Sequence, residues 1–477
     1  MSERQHFHPM AIAIYWLQLL RAWLFYIVII IINGGIKERF GMITLLVIFI
    51  FSFVLAMIRY KTRSYTINAD KIVIYHGVFR KKETDIPYER IQTIKQRQWF
   101  FLKPFNLIQI LIETAGGKKD AAEGSLPAVD AGVLETLENF RYGRGQGESG
   151  QEVETTGQES TNRYRVTDGQ IVLYGITDLS ILASLAALVA FATEMIPDSW
   201  FTRVTITAEN LYRLGWIVFL GAAFVLLILL ILISLAKNFI QFYNFTVSRT
   251  NQTLTIESGL FERKVQKIPT NKIQGIRIRQ QVLRKLLKIS SVEIILAGGQ
   301  ETSGENNVPK KLYILPIVPD QLLYPTLARL IPEWEIHEPE MTFASYPSIW
   351  YFWRWHLLWL PVLVAGFIWN PFVGIALVLW IGFLFFYSWL DYRYQGYAIQ
   401  TQTRVCIQNY QALTKVQTFI ERPKIQAFSN HASKWLYNKK LGHSRLTLKT
   451  GLGSETIGLK FIKREDQETL KDFYLSY

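Results

Sequence analysis

The sequence predicts an α-helical membrane protein in which three hairpins, six spans in all, alternate with three small α+β domains. Three observations predict it. Six apolar runs approach the roughly 20 residues needed to cross about 30 Å of hydrocarbon. A strand-rich segment follows each pair of runs. These segments share a pattern: Gly-x-Phe, then Ile-Pro-x-x-Arg/Lys-Ile-Gln, then Gly-Gly. The first copy is Gly77, Phe79, Ile86, Pro87, Arg90, Ile91, Gln92, Gly116 and Gly117. The second, at the same spacing, is Gly259, Phe261, Ile268, Pro269, Lys272, Ile273, Gln274, Gly298 and Gly299. The third keeps Ile420, Lys424, Ile425 and Gln426. Self-similarity at a long period sets architecture, here one unit copied twice.

The apolar runs fall at 12–32, 40–58, 178–197, 214–236, 348–369 and 371–390. The run 214–236 carries no charge. Arg21 interrupts the first, so either that span begins near Ala22 with 12–20 lying in the interface, or Arg21 snorkels. Trp350, Trp353, Trp355, Trp359, Trp369, Trp380 and Trp389 decorate the third pair, and those at span ends fit an aromatic belt. Arg4 provides a basic start, but the first run is long and a second span follows closely. It reads as an uncleaved anchor.

Each hairpin crosses twice, so the N-terminus and all three domains share one side. Arg59, Lys61, Arg63, Arg163, Arg165, Lys237 and Arg393 hug that side. The opposite connection 197–213 balances Asp198 and Glu209 against Arg203 and Arg213; Lys37, Glu38 and Arg39 are a mild counter-signal. The positive-inside rule then places the domains in the cytoplasm.

The strand-rich domains follow in order. In 64–75, Tyr65, Ile67, Ile72 and Ile74 alternate around the turn Asn68-Ala69-Asp70. Segments 91–94 and 107–112 read as further strands, and 245–256 and 397–407 repeat the opening. Helical stretches at 129–142, 319–330 and 464–474 close the units. The first has Asp130 as N-cap, with Leu134, Leu137 and Phe140 on one face. The third opens with Glu465, Asp466 and Glu468, which suit a helix N-terminus. The stretch 143–162 holds one large apolar residue, Val153, and reads as a flexible linker. The resulting division is hairpin 1–58, domain 59–142, linker 143–163, hairpin 164–236, domain 237–340, hairpin 341–390 and domain 391–477.

The chain has 477 residues, half of them hydrophobic, with net charge +14. Its mean hydropathy is +0.14 and its pI about 9.5. That hydropathy suits soluble domains alternating with spans. Excess base implies an anionic partner, and a membrane protein meets lipid headgroups first. Cys406 is the only cysteine, which excludes an intrachain disulfide and multi-cysteine zinc sites.

Two spans, then a strand-rich unit with Gly-x-Phe, Ile-Pro-x-x-Arg-Ile-Gln and Ala-Gly-Gly (Ala115 to Gly117, Ala297 to Gly299), resemble the bacterial membrane-associated pleckstrin-homology-like (PH-like) domain family. The triplicated layout is similar to its YdbT-like members, over nearly the whole chain. The resemblance implies a PH-like fold in each unit, seven strands in a bent sheet with a closing helix, and no enzymatic activity. The third unit departs from the pattern, with Gln411 in place of Gly77 and Gly259 and Glu421-Arg422 in place of Pro-x. The expected location is the bacterial plasma membrane.

The strongest functional signal is charge at one equivalent position. From 263 to 288 stand Arg263, Lys264, Lys267, Lys272, Arg277, Arg279, Arg284, Lys285 and Lys288, with no acid between them. The third unit offers Lys415, Arg422, Lys424, Lys434, Lys439, Lys440, Arg445 and Lys449 against Glu421. The first is milder, with Arg80, Lys81, Lys82, Arg90, Lys95, Arg97 and Lys103 against Glu83, Asp85 and Glu89. The bland reading is a solvated basic face. The functional one is a surface held against the anionic inner leaflet, where each basic residue contributes roughly 1 kcal/mol. Tethering by the nearby span makes a weak patch sufficient.

Trp99, Phe100, Phe101, Leu102 and Phe105 align with Val282, Leu283, Leu286 and Leu287, and with Trp435 and Leu436. They read either as a short turn packed on the core or, flanked by Lys103, Lys285 and Lys434, as an interfacial wedge. Arg21, Glu194, Arg354 and His356 lie near span ends, where snorkelling explains them. No metal-ligand spacing, phosphate loop or nucleophile elbow is present, so no catalytic, metal or cofactor residue is expected. The expected function is a scaffold presenting three cytoplasmic PH-like domains to anionic lipid headgroups. A membrane-protein partner, such as a smaller PH-like relative, is the other expected contact. The family's setting adds a role in envelope stress or tolerance of membrane-active peptides. The alternative is a transporter or translocation accessory using the six spans. No nucleic-acid partner is expected.

Overall fold

The computed structural model describes residues 4–32, 38–77, 81–114, 124–141, 162–178, 216–297, 302–303, 308–309, 311–450 and 453–476. The first unit opens with β1 (Gln5–His6), α1 (Ala11–Ile32) and α2 (Arg39–Lys61). It continues with β2 (Ser64–Ile67), β3 (Lys71–His76), β4 (Lys82–Pro87), β5 (Ile91–Trp99), β6 (Leu107–Thr114), β7 (Gly124–Asp130) and α3 (Ala131–Arg141). The second unit has β8 (Arg163–Arg165), α4 (Asp168–Ile176), α5 (Trp216–Phe242), β9 (Thr246–Thr250), β10 (Thr253–Ser258), β11 (Glu262–Pro269) and β12 (Ile273–Gln281). It closes with α6 (Val282–Leu286), β13 (Ile289–Leu296), the short strands β14 (Thr302–Ser303) and β15 (Val308–Pro309), β16 (Leu312–Pro319) and α7 (Asp320–Leu330). The third has β17 (Thr342–Phe343), α8 (Ile349–Trp353), α9 (Leu360–Trp369), α10 (Pro371–Tyr394), β18 (Gly396–Thr401), β19 (Arg404–Gln411), β20 (Thr414–Glu421), β21 (Ile425–His431), α11 (Lys434–Asn438), β22 (Leu441–Thr450), β23 (Gly453–Lys463) and α12 (Arg464–Leu475).

Among the described residues, four helical segments are long and apolar enough to cross a membrane: Ala11–Ile31, Arg39–Lys61, Tyr346–Trp369 and Pro371–Tyr394. Arg21 is an exposed residue within the continuous α1. Trp16 donates to Ser52 Oγ at 3.1 Å, joining α1 to α2; small hydroxyls are common glue between membrane helices. The first arm of the last hairpin is interrupted by a 3-10 segment at Arg354–Trp359. There His356 Nε2 lies 2.6 Å from Ser388 Oγ of α10. The turn between the two arms is closed by Asn370, whose side chain accepts from the Phe372 N–H at 2.8 Å, with Pro371 opening α10. Of the expected run 178–197, only Asp178 lies inside the described residues. The run 214–236 overlaps α5, a single helix over Trp216–Phe242.

The repeated Ile-Pro-x-x-Arg/Lys-Ile-Gln pattern is a crossover between two sheets. β4 ends at Pro87, a 3-10 turn covers Tyr88–Arg90, and β5 starts at Ile91 in another sheet. The same succession recurs at Thr270–Lys272 and Arg422–Lys424. The two isoleucines are buried in every copy: Ile86 and Ile91, Ile268 and Ile273, Ile420 and Ile425. The register slips just after the second isoleucine each time, at Ile91/Thr93, Ile273/Gly275 and Ile425/Ala427. Gln92, Gln274 and Gln426 are therefore bulge residues, which sharpen the local twist where the chain changes sheet.

The sequence predicts three small α+β domains, and the structure joins their sheets. β5 pairs with β11, so one seven-stranded sheet runs β7-β6-β5-β11-β10-β9-β8 across the first and second units. β12 pairs with β20, giving a second seven-stranded sheet, β16-β13-β12-β20-β19-β18-β17, across the second and third. The reason is the edge. A PH-like unit split into two sheets leaves an outer strand with unpaired backbone groups on each, and neighbouring units satisfy them mutually. The cores merge too: Ala398, Cys406 and Phe419 of the third unit pack with Ile276, Val292 and Leu323 of the second.

Gly77 and Gly259 have φ of +126° and +114°, which explains glycine at the turn before β4 and β11. The third copy manages without it. Ala412 and Leu413 both take left-handed angles in a two-residue hairpin, so Gln411 needs no positive φ. The closing helices fall as the sequence predicts, and Asp130 Oδ1 accepts from the Gly132 N–H at 2.8 Å.

Candidate lipid and partner surface

Most of the basic residues singled out in the sequence are engaged inside the protein. Arg263 pairs with Glu257 at 2.8 Å, and Lys264 and Arg97 share Glu262 at 3.2 and 3.5 Å. Lys95 meets Glu113 at 2.5 Å and Arg279 meets Glu293 at 3.3 Å. Besides Arg97 with Glu262, three more contacts cross between units. Lys267 of β11 reaches Glu138 of α3 at 2.7 Å. Arg277 of β12 reaches Glu455 of β23 at 2.6 Å. Lys424 donates to the Asn271 carbonyl at 3.1 Å. Sequence reasoning missed these acids because they lie on neighbouring strands or in other units. Glu262, one residue before the basic run, was the single signal available.

Arg284 was expected at the surface and is buried, 3% exposed. Its guanidinium donates to Thr177 Oγ1 at 3.2 Å and to Ser291 Oγ at 2.7 Å, and lies 4.0 Å from the Tyr174 ring centre. It clamps α4 to the sheet. Lys285 sits over the Tyr394 ring, 4.0 Å from its centre, at the domain end of α10.

Eight residues of the set stand exposed: Arg263 and Lys285, which have the partners named above, and Arg90, Lys272, Lys288, Lys434, Lys439 and Lys440. The last four belong to the short basic and apolar turns that follow β12 and β21. Around them Leu286 and Trp435 are each 80% exposed, and Leu287 and Tyr437 are exposed as well. The turn after β5 matches them with Phe100, Lys103 and Phe105 exposed, while Leu102 and Leu436 anchor their turns in the core. The aromatic cluster therefore divides, one residue inward and its neighbours outward.

These turns lie level with the domain ends of the apolar helices. His8, just before α1, stacks near Phe105 with ring centres 6.0 Å apart. Lys285 touches Tyr394, the last residue of α10. In the third unit the Lys440 carbonyl accepts from the Arg464 N–H at 2.9 Å, and Phe461, three residues before Arg464, stacks on Tyr351 and meets Phe352 edge-on in the last hairpin. Exposed apolar side chains fringed by lysine at that height have the chemistry of a bilayer interface.

Clefts open at both unit junctions. One of about 110 Å³ is lined by Lys95, Arg97, Lys264 and Lys311; burial, with Arg279 nearby, pushes the Lys311 ammonium below its ordinary range. Cys406 is fully buried and its thiol is pushed up by burial, an unreactive setting. Among the described residues, no three His, Cys, Asp or Glu side chains gather as a metal site.

The bacterial PH domain family profile matches residues 12–144 and 199–312. The chain is similar to the UPF0699 transmembrane protein YdbT of Bacillus subtilis (strain 168), 25% identical over 361 residues that cover 71% of each chain.

Proposed function

The chain belongs to the bacterial PH domain family, and on that premise we propose that it is a multi-pass scaffold of the bacterial plasma membrane holding three cytoplasmic PH-like domains against anionic lipid headgroups. Six spans, with the run 178–197 and α5 supplying the middle hairpin, and one unit present in three copies belong to this reading. One observation carries it. The turns after β5, β12 and β21 expose apolar side chains beside lysines at the level of the span ends. Basic residues near an anionic leaflet contribute roughly 1 kcal/mol each. Four lysines (288, 434, 439 and 440) would thus hold the second and third domains down by several kcal/mol, weakening with salt. The paired cations at the junctions have a different role, keeping the domains in fixed relation so that the turns engage one plane. A membrane-protein partner fits the same rigid face, and a part in envelope stress would follow from either contact.

The experiment is lipid retention by the full chain. Wild-type protein purified from its host membrane in mild detergent is expected to carry anionic lipid above its abundance in that membrane. Lys288→Gln, Lys434→Gln, Lys439→Gln and Lys440→Gln together are expected to abolish the enrichment. Equal enrichment in the variant would end the lipid reading.

A further inference from the structure

The two junctions between units obey one rule, and the rule leaves two strand edges unused. At the first junction Ile94 of β5 opposes Lys267 of β11. At the second Ile276 of β12 opposes Phe419 of β20. In both, the third residue after the motif's second isoleucine faces the residue just before the first isoleucine of the next unit. The ladder also ends on the same bond. The Phe100 N–H donates to the Phe261 carbonyl at 2.9 Å, and at the equivalent positions the Val282 N–H donates to the Leu413 carbonyl at 3.2 Å. Two junctions of different sequence thus share one register, as expected when bulge and hydrophobic pattern fix it.

The unused edges are the two halves of a third such junction. β21 is the counterpart of β5 and β12, and it lies at the edge of the three-stranded sheet β21-β22-β23. β4 is the counterpart of β11 and β20, and it lies at the edge of the sheet β1-β2-β3-β4. Among the described residues neither edge has a further strand beside it. Both are more exposed than their paired counterparts. Gln426, Ala427, Ser429, Asn430 and His431 are exposed, whereas Gly275, Ile276 and Ile278 of β12 are buried. An open edge invites another strand unless charge or proline guards it. From Ile425 to Ser433 there is no Lys, Arg, Asp, Glu or Pro; β4 carries Lys82, Glu83, Asp85 and Pro87, but its counterpart β11 pairs with β5 while carrying Glu262, Arg263, Lys264, Lys267 and Pro269, so such residues do not close this edge.

We propose that β21 of one chain pairs with β4 of a second copy of the same chain, in the register of the internal junctions, so that the sheets continue from molecule to molecule. That register sets Phe428 opposite Asp85, Ser429 opposite Thr84, Asn430 opposite Glu83 and His431 opposite Lys82. The contact is heterologous, so copies close into a ring or run on as an array. Spans rooted in one bilayer confine that assembly to the membrane plane.

The test is cysteine crosslinking of the full chain in its native membrane. Opposed residues on antiparallel strands have Cβ atoms about 4.5–5.5 Å apart, close enough for an oxidant to join them. Cys406 is fully buried and serves as the background. Thr84→Cys combined with Ser429→Cys in one chain is expected to give crosslinked multimers. Thr84→Cys with Asn430→Cys, one position out of register and so on opposite faces, is expected to lose them. Each single variant alone should stay uncrosslinked, and the two singles co-expressed should give a dimer and nothing larger. Absence of multimers in the in-register pair overturns the proposal, as does self-crosslinking of either single variant or crosslinking solely to a different protein. A second measurement guards against misfolded variants. Wild-type particles extracted in mild detergent should contain several chains, and Ser429→Pro should reduce them to one. Single-chain wild-type particles would likewise overturn it.

Discussion

Replacing Arg284 with alanine separates a structural cation from a lipid-binding one. The side chain is 3% exposed and makes two hydrogen bonds, to Thr177 Oγ1 and Ser291 Oγ, with a ring contact to Tyr174. Hydrogen bonds from a charged donor contribute about 1.5–3 kcal/mol each, and a desolvated cation over a ring about 2 kcal/mol. The sum overshoots, because Thr177 keeps its bond to the Leu173 carbonyl and Ser291 its bond to the Pro316 carbonyl, so neither hydroxyl is orphaned. A net loss of about 3–5 kcal/mol remains. At about 2.1 cal/mol/K per residue, unfolding 477 residues carries an entropy of about 1 kcal/mol/K, so the melting temperature of the purified chain should fall by about 3–5 °C. Tryptophan fluorescence on heating reads it. Anionic-lipid retention measured below the transition should stay at the wild-type level. An unchanged melting temperature with lost lipid retention would refute the reasoning and return Arg284 to the membrane surface.

Three further outcomes are expected. Arg277→Gln and Glu455→Gln, alone and together, should show a coupling of roughly 1 kcal/mol in thermal unfolding, since Glu455 is 41% exposed and partly screened; zero coupling would remove that pair from the second junction. Gly259→Ala should cost about 1–3 kcal/mol, because φ is +114° and a Cβ would stand 2.1 Å from the Glu262 carbonyl, whereas Gly169→Ala on open helix surface should not destabilise. His443 is half-buried beside His431 and Phe461, and burial pushes its imidazole down to about 4. The unfolded chain takes up that proton near pH 6.5 and the folded chain resists until about pH 4, so stability is full above pH 6.5 and lost between the two values. Partial exposure reduces the effect to about 1–2 kcal/mol. His443→Phe should flatten that part of the melting-temperature profile, and an unaltered slope would contradict it.

The sequence made the repeating elements legible because each had a local cause. Ile86, Ile91 and their counterparts mark buried ends of two strands, and Gly77 and Gly259 mark turns of positive φ. The apolar runs inside the described residues announce helices by composition alone. What stayed hidden is pairing between distant segments. Nothing in the spacing of Lys267 or Arg277 points to Glu138 or Glu455, since those contacts exist only once β11 has joined β5 and β12 has joined β20. A basic run on a strand also divides between two faces, so a charge count cannot separate Arg284, clamped in the core, from Lys288, exposed four positions later. The aromatic turn was legible as a feature and ambiguous as a role, because Leu102 turns inward while Phe100 and Phe105 turn outward.

The most direct test of the scaffold reading is the depth of those turns. Leu286→Cys and Trp435→Cys, with Ser454→Cys near the far end of the β22–β23 hairpin as reference, each carry an environment-sensitive fluorophore on the full chain in anionic nanodiscs. Lipid-borne quencher is predicted to reach positions 286 and 435 while aqueous iodide is excluded, with the reverse at 454. Equal iodide quenching at all three positions would contradict the account, because the exposed leucine, tryptophan and lysines would then face water rather than the bilayer.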